Sequence, residues 1–156
     1  MALTFQVIET ALEIALMPVE TYSKEQSSTG RVAALNSFRS YASRPHQIFL
    51  PQVYESILKR IYERLDDRRD FAASGQPLPA DIRTQIQMSV FESAGVARMT
   101  IAQSGADLNI ALVEHEQQAR KQKTVVFQVR LNLSEPWAGR VVDVLRQQGY
   151  FFGGVL

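Results

Sequence analysis

The chain has 156 residues, with 46% hydrophobic and 21% charged side chains, which is ordinary for one globular domain. Its formal net charge of +1 gives no field that would recruit nucleic acid or a membrane surface, so neither partner is predicted. The absence of cysteine excludes disulfides, thiolate metal sites and cysteine nucleophiles, and no run approaches the roughly 20 apolar residues of a membrane helix. With no signal-peptide pattern either, we expect a cytoplasmic domain.

The first third of the chain alternates between strand and helix patterns. Residues 3–17 read as a strand with a possible break near Glu9, and Pro18 is predicted to end it. A polar loop over residues 19–30 then leads to a predicted helix over residues 31–42, because apolar residues recur there at helical spacing. Residues 47–50 are a short apolar run and predict a buried strand.

Pro51 opens the strongest helical pattern in the sequence. One apolar stripe is formed by Val53, Ile57, Ile61 and Leu65 and is widened by Tyr54, Leu58 and Tyr62. On the opposite face Glu55 precedes Lys59 by four residues, the favourable order for an ion pair within a helix. The helix is predicted to end in the charged, solvated run 66–70, and residues 72–80, rich in glycine and proline, form a connector to the second half.

The second half begins with a predicted β-hairpin. Alternating apolar residues over 85–90 and a return strand over 96–103 flank a turn at residues 92–95. A helix follows from Leu108, and its polar end, residues 114–123, is predicted to project into solvent.

The last segment predicts a strand–helix–strand unit. Residues 124–133 alternate with period two, Ser134 is predicted to cap a helix, and Gly149 is predicted to end it before another strand begins. This unit indicates the α/β class. Because the chain stops on the apolar strand 151–156, we expect a domain excised from a longer chain, with a partner strand beyond Leu156.

The succession of elements resembles the acyl-CoA N-acyltransferase (GNAT) fold. The stretches IFLPQVYESILKRIYERL, LNLSEPW and GYFFGGVL also resemble the acyltransferase-like domains attached to bacterial anti-sigma-factor-type histidine kinase-like ATPases. The resemblance implies one GNAT-like α/β domain over residues 1–156, with a mixed, twisted sheet, flanking helices and no last strand. It also implies a covalently linked signalling domain, or a separate protein, as the partner.

The resemblance further implies a cofactor site for acetyl-CoA or another acyl-CoA. In the family, a Gln/Arg-x-x-Gly-x-Gly/Ala turn places backbone N–H groups around the pyrophosphate at a helix N-terminus. The matching residues are Gln103, Ser104, Gly105 and Ala106, but the turn is one residue short and Asp107 follows where the phosphates would dock. The alternative is a turn that only caps the next helix.

The same resemblance implies acid–base candidates, which are Glu92 in the hairpin turn, Tyr150 after the last helix, and Glu114, His115 and Glu116 on the helix between them. The three neighbours on the helix point in different directions and do not form one site, which leaves Glu92 and Tyr150. Each has a simpler interpretation, Glu92 as a solvated turn carboxylate and Tyr150 as a core aromatic. The two histidines, His46 and His115, lack further ligands at suitable spacing, so no metal site is predicted. Trp137 is predicted to serve packing, with ligand stacking as the alternative.

Three functions remain open from the sequence. The first is a degenerate acyltransferase-like regulatory or sensory domain of a bacterial signalling protein, binding a small ligand or a partner in a cleft between strands 96–103 and 124–133. The second is an active acyl-CoA-dependent N-acyltransferase. The third is a dimerisation or docking module, in which the strand over 151–156 completes the sheet of a partner protein or of a second copy.

Overall fold

The chain is a succession of short strands and helices, seen in a computed structural model that describes residues 2–8, 17–19, 32–34, 46–64 and 69–155. In these ranges nine strands and three α-helices follow one another. They are β1 (Ala2–Ile8), β2 (Met17–Val19), β3 (Val32–Ala34), β4 (His46–Leu50), α1 (Glu55–Tyr62), β5 (Arg69–Ala73), β6 (Gln85–Phe91), β7 (Val96–Gln103), α2 (Leu108–Arg120), β8 (Val126–Asn132), α3 (Ala138–Gln147) and β9 (Phe151–Val155). None of the described helices is long and apolar enough to cross a membrane.

A five-stranded mixed sheet with the order β6-β7-β8-β1-β9 organises these elements. The β6–β7 hairpin is antiparallel, and every other neighbouring pair in this sheet is parallel. Two smaller sheets pair β2 with β3 and β4 with β5, and the N–H of Phe49 in β4 donates to the carbonyl of Leu133 at 2.7 Å, just past β8. The α/β class and the mixed sheet predicted from the sequence are confirmed.

One hydrophobic core forms on the inward face of β7 and β8. Phe127, Val129 and Leu131 are buried at alternate positions of β8, while their neighbours in the strand are only half-buried. Leu112 of α2 and Leu145 of α3 are fully buried in the same cluster. The period-two pattern of the sequence therefore identified the buried face of the central strands correctly.

Most elements of the second half lie where the sequence predicts them. The hairpin, the strand over 124–133 and the helix from Leu108 are confirmed, and Gly149 ends α3 with a positive φ of 87°. The N–H groups of Gly149 and Tyr150 return to the carbonyls of Arg146 and Leu145, both at 3.0 Å, which closes the last turn of the helix. Strand β9 lies at the edge of the sheet, and its proposed pairing with a partner stays a prediction.

The start of α3 was predicted wrongly. Ser134 does not cap it, since the helix begins four residues later at Ala138, without a side-chain cap. Instead the N–H of Ser134 donates to Oδ1 of Asn132 at 2.9 Å, and the N–H of Ala138 donates to the carbonyl of Glu135 at 3.0 Å. Asparagine side chains stabilise such turns locally, so the chain makes a turn before the helix begins.

The helix predicted over residues 31–42 is wrong at Val32–Ala34, which form β3 and pair with β2. Pro18 does not end a strand either, because it lies inside β2 opposite Ala33. A two-stranded ladder leaves one side of each strand without backbone partners, so a proline can be accommodated there. Residues 9–16, 20–31 and 35–45, on which the rest of these predictions fall, lie outside the described residues.

The apolar stripe predicted after Pro51 is confirmed in part. Leu58 and Tyr62, which widen the stripe, are buried, but the helix begins only at Glu55, after a 3-10 turn over Gln52–Tyr54, and Val53 is 45% exposed. The predicted ion pair is confirmed, with Nζ of Lys59 at 2.6 Å from Oε1 of Glu55. Leu65 and the acidic residues that follow it lie outside the described ranges.

Strand β5 is an element that the sequence pattern does not predict. Its residues Arg69–Ala73 fall partly in the predicted charged helix end and partly in the predicted connector, yet they pair in parallel with the whole of β4. Phe71, for example, lies opposite Ile48. The polar start of β5 concealed it, because a strand on the edge of a two-stranded sheet needs little apolar alternation.

Candidate functional site

The strands β7 and β8 part at their carboxyl ends. Their pairing stops at Ile101 and Leu131, although β7 runs on to Gln103, beside β6, and β8 runs on to Asn132, beside β1. The two strands therefore separate at this edge, and ligands in open α/β sheets bind outside the carboxyl ends of the strands.

A cavity of about 250 Å³ lies between the separated ends of the two strands, at the position where the sequence predicts a binding cleft. We call it the β7/β8 cleft, and it is lined by Ile82, Gln85, Ile101, Ala102, Gln103, Ser104, Leu131, Asn132, Glu135 and Trp137. The aliphatic side chains supply an apolar wall and the others supply polar groups at the same edge. Ligand pockets commonly combine an apolar lining with a few convergent polar groups.

The polar side chains of the β7/β8 cleft differ in their exposure. Ser104 is the polar lining residue that is buried, with only 4% of its surface exposed. Gln85, Gln103 and Glu135 are exposed, and Trp137 is half-buried. The hydroxyl of Ser104 can donate and accept hydrogen bonds, as can the amides of the two glutamines, so the cleft offers a ligand several polar groups.

The backbone of the predicted phosphate turn is already committed. The N–H of Gly105 donates to Oγ1 of Thr84 at 2.9 Å, and the N–H of Ala106 donates to the carbonyl of Pro79 at 2.8 Å. Gly105 is required by close packing, because a Cβ at this position would lie 1.9 Å from the carbonyl oxygen of Ile82. The turn is therefore packed against and hydrogen-bonded to the segment 79–84, and neither of these two N–H groups is free to bind a pyrophosphate.

Asp107 adds a further hydrogen bond between this turn and the segment 79–84. Its Oδ1 accepts the N–H of Thr84 at 2.9 Å, and it makes no side-chain cap bond to α2. Hydrogen bonds from the Thr84 side chain first, and then from its N–H, hold the pKa of the Asp107 carboxyl below its ordinary value. A carboxylate held ionised next to the turn repels phosphate, which favours the interpretation of residues 103–107 as a structural turn.

Glu92 lies far from the β7/β8 cleft. It is exposed in the 3-10 turn between β6 and β7, at the amino end of β7. The cleft lies at the carboxyl end of that eight-residue strand, about 25 Å away along the chain direction. The structure does not bring Glu92 together with Gln103, Ser104, Gly105 and Ala106.

Tyr150 is also remote from the cleft. It precedes β9, whose first residue is level with Thr4 near the start of the parallel strand β1, so it lies toward the amino ends of the parallel strands. Its side chain is 3% exposed, and its hydroxyl donates to Oε1 of Glu116 at 2.7 Å. Burial, and after it this bond to Glu116, raises the pKa of the Tyr150 phenol far above its ordinary value.

The cluster around Tyr150 corrects one prediction about α2. The polar end of this helix does not simply project into solvent, since Ala119 is fully buried and Glu116 holds both Tyr150 and Arg120. The guanidinium of Arg120 also lies over the ring of Phe127, at 5.0 Å from its centroid. These contacts fasten the end of α2 to β8 and β9, so the cluster has a structural explanation.

Replacing Tyr150 by phenylalanine should lower the free energy of unfolding by about 1–2 kcal/mol near neutral pH, because a hydrogen bond to a carboxylate is lost. Above the ordinary phenol pKa of 10.0 the unfolded chain releases this proton while the folded protein keeps it. The contribution of Tyr150 is therefore complete below that pH and decreases as the pH rises, by up to about 1.4 kcal/mol per unit.

Urea unfolding of the wild type and of Tyr150→Phe, between about pH 8 and pH 11, measures this difference. We expect the gap between the two proteins to shrink as the pH rises above the ordinary value. A gap that stays constant across the range would show that the phenol of Tyr150 is not held protonated by its surroundings.

No site role was predicted for Glu135, and Trp137 was predicted to serve packing, but both residues line the β7/β8 cleft. The feature of the sequence that could have identified them is their position shortly after the carboxyl end of β8.

Across the described ranges, no group of three or more histidine, cysteine, aspartate or glutamate side chains is arranged to hold a metal ion. Comparison of the chain with known protein families, with curated proteins and with solved structures finds no match.

Proposed function

We propose that this chain is an acyltransferase-like domain that has lost the acyl-CoA reaction and binds a small ligand in the β7/β8 cleft. In this proposal it serves as a sensory or regulatory module of a larger bacterial signalling protein. The observation that carries the binding function is the cleft itself, a cavity of about 250 Å³ in which an apolar wall meets the buried Ser104 and further polar side chains. The GNAT-like fold and the signalling role are supported by the sequence resemblance and by the mixed sheet.

Three features argue against acyl transfer. The N–H groups of Gly105 and Ala106 bond within the protein, Asp107 adds a negative charge, and Glu92 and Tyr150 lie away from the cleft. A transfer reaction needs an acid or base within hydrogen-bond reach of the reacting atoms, and neither of the two residues predicted for that role lies at the cleft. A cavity of about 250 Å³ is also below the usual size of pockets for drug-sized ligands, so it suits a small molecule better than a whole CoA.

Calorimetric titration of acetyl-CoA and of free CoA into the protein tests the loss of the reaction. We expect no binding in the micromolar range. Micromolar binding of either compound would contradict the proposal and favour an active acyl-CoA-dependent N-acyltransferase. In that case, repeating the titration with Ala102→Phe would show whether the compound binds in the β7/β8 cleft.

Substituting Ala102 by phenylalanine should close the β7/β8 cleft. Ala102 is exposed and lines the cavity, so a larger side chain can occupy the space without entering the core. Trp137 is the only tryptophan of the chain, and its indole N–H gives a single resonance that reports on the cleft. We expect fragments that shift this resonance in the wild type to bind at least about tenfold more weakly in the variant, a loss of roughly 1.4 kcal/mol.

The matched control is Ala94→Phe, an equally exposed alanine in the hairpin turn at the opposite edge of the sheet. It should leave the fragment-induced shifts unchanged. Shifts that survive in Ala102→Phe, or that vanish equally in both variants, would contradict a binding site in this cleft.

A further inference from the structure

The charges around the β7/β8 cleft are one-sided. Glu135 is the one side chain among the described lining residues that carries a charge at neutral pH, and no arginine, lysine or histidine lines the cavity there. The carboxylate of Glu135 has no ion-pair or hydrogen-bond partner in the described part of the chain. An anionic ligand would therefore meet a like charge and no cation among the described lining residues, since Arg83, which follows Ile82, acts on Asp107 instead.

Trp137 adds a second feature that selects for positive charge. Its indole lines the same cavity two residues after Glu135, and tryptophan gives the most favourable ring face for a cation. The amide groups of Gln85, Gln103 and Asn132 and the hydroxyl of Ser104 can accept hydrogen bonds from an ammonium group. Ile82, Ile101 and Leu131 provide an apolar wall for the rest of the ligand.

We infer that the β7/β8 cleft binds a small organic cation, a molecule with an ammonium or related group attached to a short apolar body. Glu135 holds the cationic group, with the indole of Trp137 beside it, and the aliphatic wall holds the body. The inference rests on the proposed binding function and adds to it the charge of the ligand. It also explains why the predicted phosphate turn, with its committed N–H groups and Asp107, borders the cleft without recruiting an anion.

The test uses three probes with the same phenethyl body and different charge: phenethylammonium, phenethyl alcohol and hydrocinnamate. Each is titrated into nitrogen-15-labelled protein while the indole N–H resonance of Trp137 is followed. We expect saturable shifts with phenethylammonium, weaker binding of the alcohol and no binding of hydrocinnamate. In Glu135→Gln, the dissociation constant for phenethylammonium should rise about threefold to tenfold, because the neutral amide keeps the shape but loses the charge.

Glu63→Gln is the matched control, since Glu63 is an exposed glutamate after α1 and does not line the cleft. It should bind phenethylammonium as the wild type does. If the alcohol or hydrocinnamate binds as tightly as the cation, or if Glu135→Gln changes nothing, the inference fails while ligand binding in the cleft stands. If none of the three probes gives a saturable shift, both the inference and the proposed binding function are contradicted.

Discussion

Gly105→Ala should destabilise the protein by about 3 kcal/mol, because the new methyl group would be forced into backbone atoms that are themselves fixed. The Cβ would lie 1.9 Å from the carbonyl oxygen of Ile82 and 2.8 Å from its carbonyl carbon. Relief requires moving the turn away from residues 79–84, which would lengthen the bonds from Gly105 to Thr84 and from Ala106 to Pro79. The free energy of unfolding in urea measures the effect.

Gly75→Ala is the control for this substitution. Gly75 is exposed and has no positive φ, and a Cβ added to it would meet no heavy atom within 4 Å, so alanine should fit there without strain. We expect its stability to stay within about 1 kcal/mol of the wild type, with a small gain from the lower entropy of the unfolded chain. Equal stabilities of Gly105→Ala and Gly75→Ala would contradict the close approach of the turn to Ile82.

The close packing at Gly105 makes this residue a poor position for testing acyl-CoA binding. A larger residue there would abolish phosphate binding if the turn held a pyrophosphate, but it would also disrupt the packing against Ile82 and the hydrogen bond to Thr84. Loss of binding in such a variant would therefore report on folding. The Ala102→Phe substitution avoids this ambiguity, because Ala102 is exposed and lines the cleft.

The second half of the fold could be predicted because its signals are local. Strand β8 alternates fully buried and half-buried residues, and Gly149 ends α3 through a conformation that glycine adopts easily. The errors in the first half arose where pairing is non-local. Strand β5 is defined by its partner β4 more than 20 residues earlier, and β3 by its pairing with β2.

The candidate site could be located from the sequence only in part. The cleft between the two strands was predicted from the resemblance to acyltransferase-like domains, and a cavity lies at that position. The committed N–H groups of Gly105 and Ala106 could not be predicted, since their acceptors Thr84 and Pro79 lie more than 20 residues away. The separation of Tyr150 from the cleft likewise depends on which end of the strands it lies near, and a residue's type and spacing do not encode that.

Gly139→Ala should destabilise the protein by about 2 kcal/mol, against the usual preference of helices for alanine. At an ordinary helix position this change stabilises by about 1 kcal/mol, because alanine loses less backbone entropy than glycine on folding. At Gly139 the Cβ would lie 2.3 Å from the carbonyl oxygen of Ser74 and 2.6 Å from its Oγ. The hydroxyl is held in place, since it donates to the carbonyl of Leu50 at 2.8 Å, and the carbonyl oxygen can move only with the backbone.

The double variant Ser74→Ala/Gly139→Ala separates the two contacts. Removing the hydroxyl relieves the contact at 2.6 Å but leaves the carbonyl oxygen at 2.3 Å, so most of the loss should persist. Stability is again measured by urea unfolding, with Ser74→Ala alone as the reference. Full recovery in the double variant would assign the strain to the side chain, and a Gly139→Ala protein more stable than the wild type would contradict the close packing of α3 on the end of β5.

Persistent loss would mean that the first turn of α3, which follows Trp137 directly, is positioned by backbone contact with Ser74. The wall of the cleft would then depend on a residue outside it.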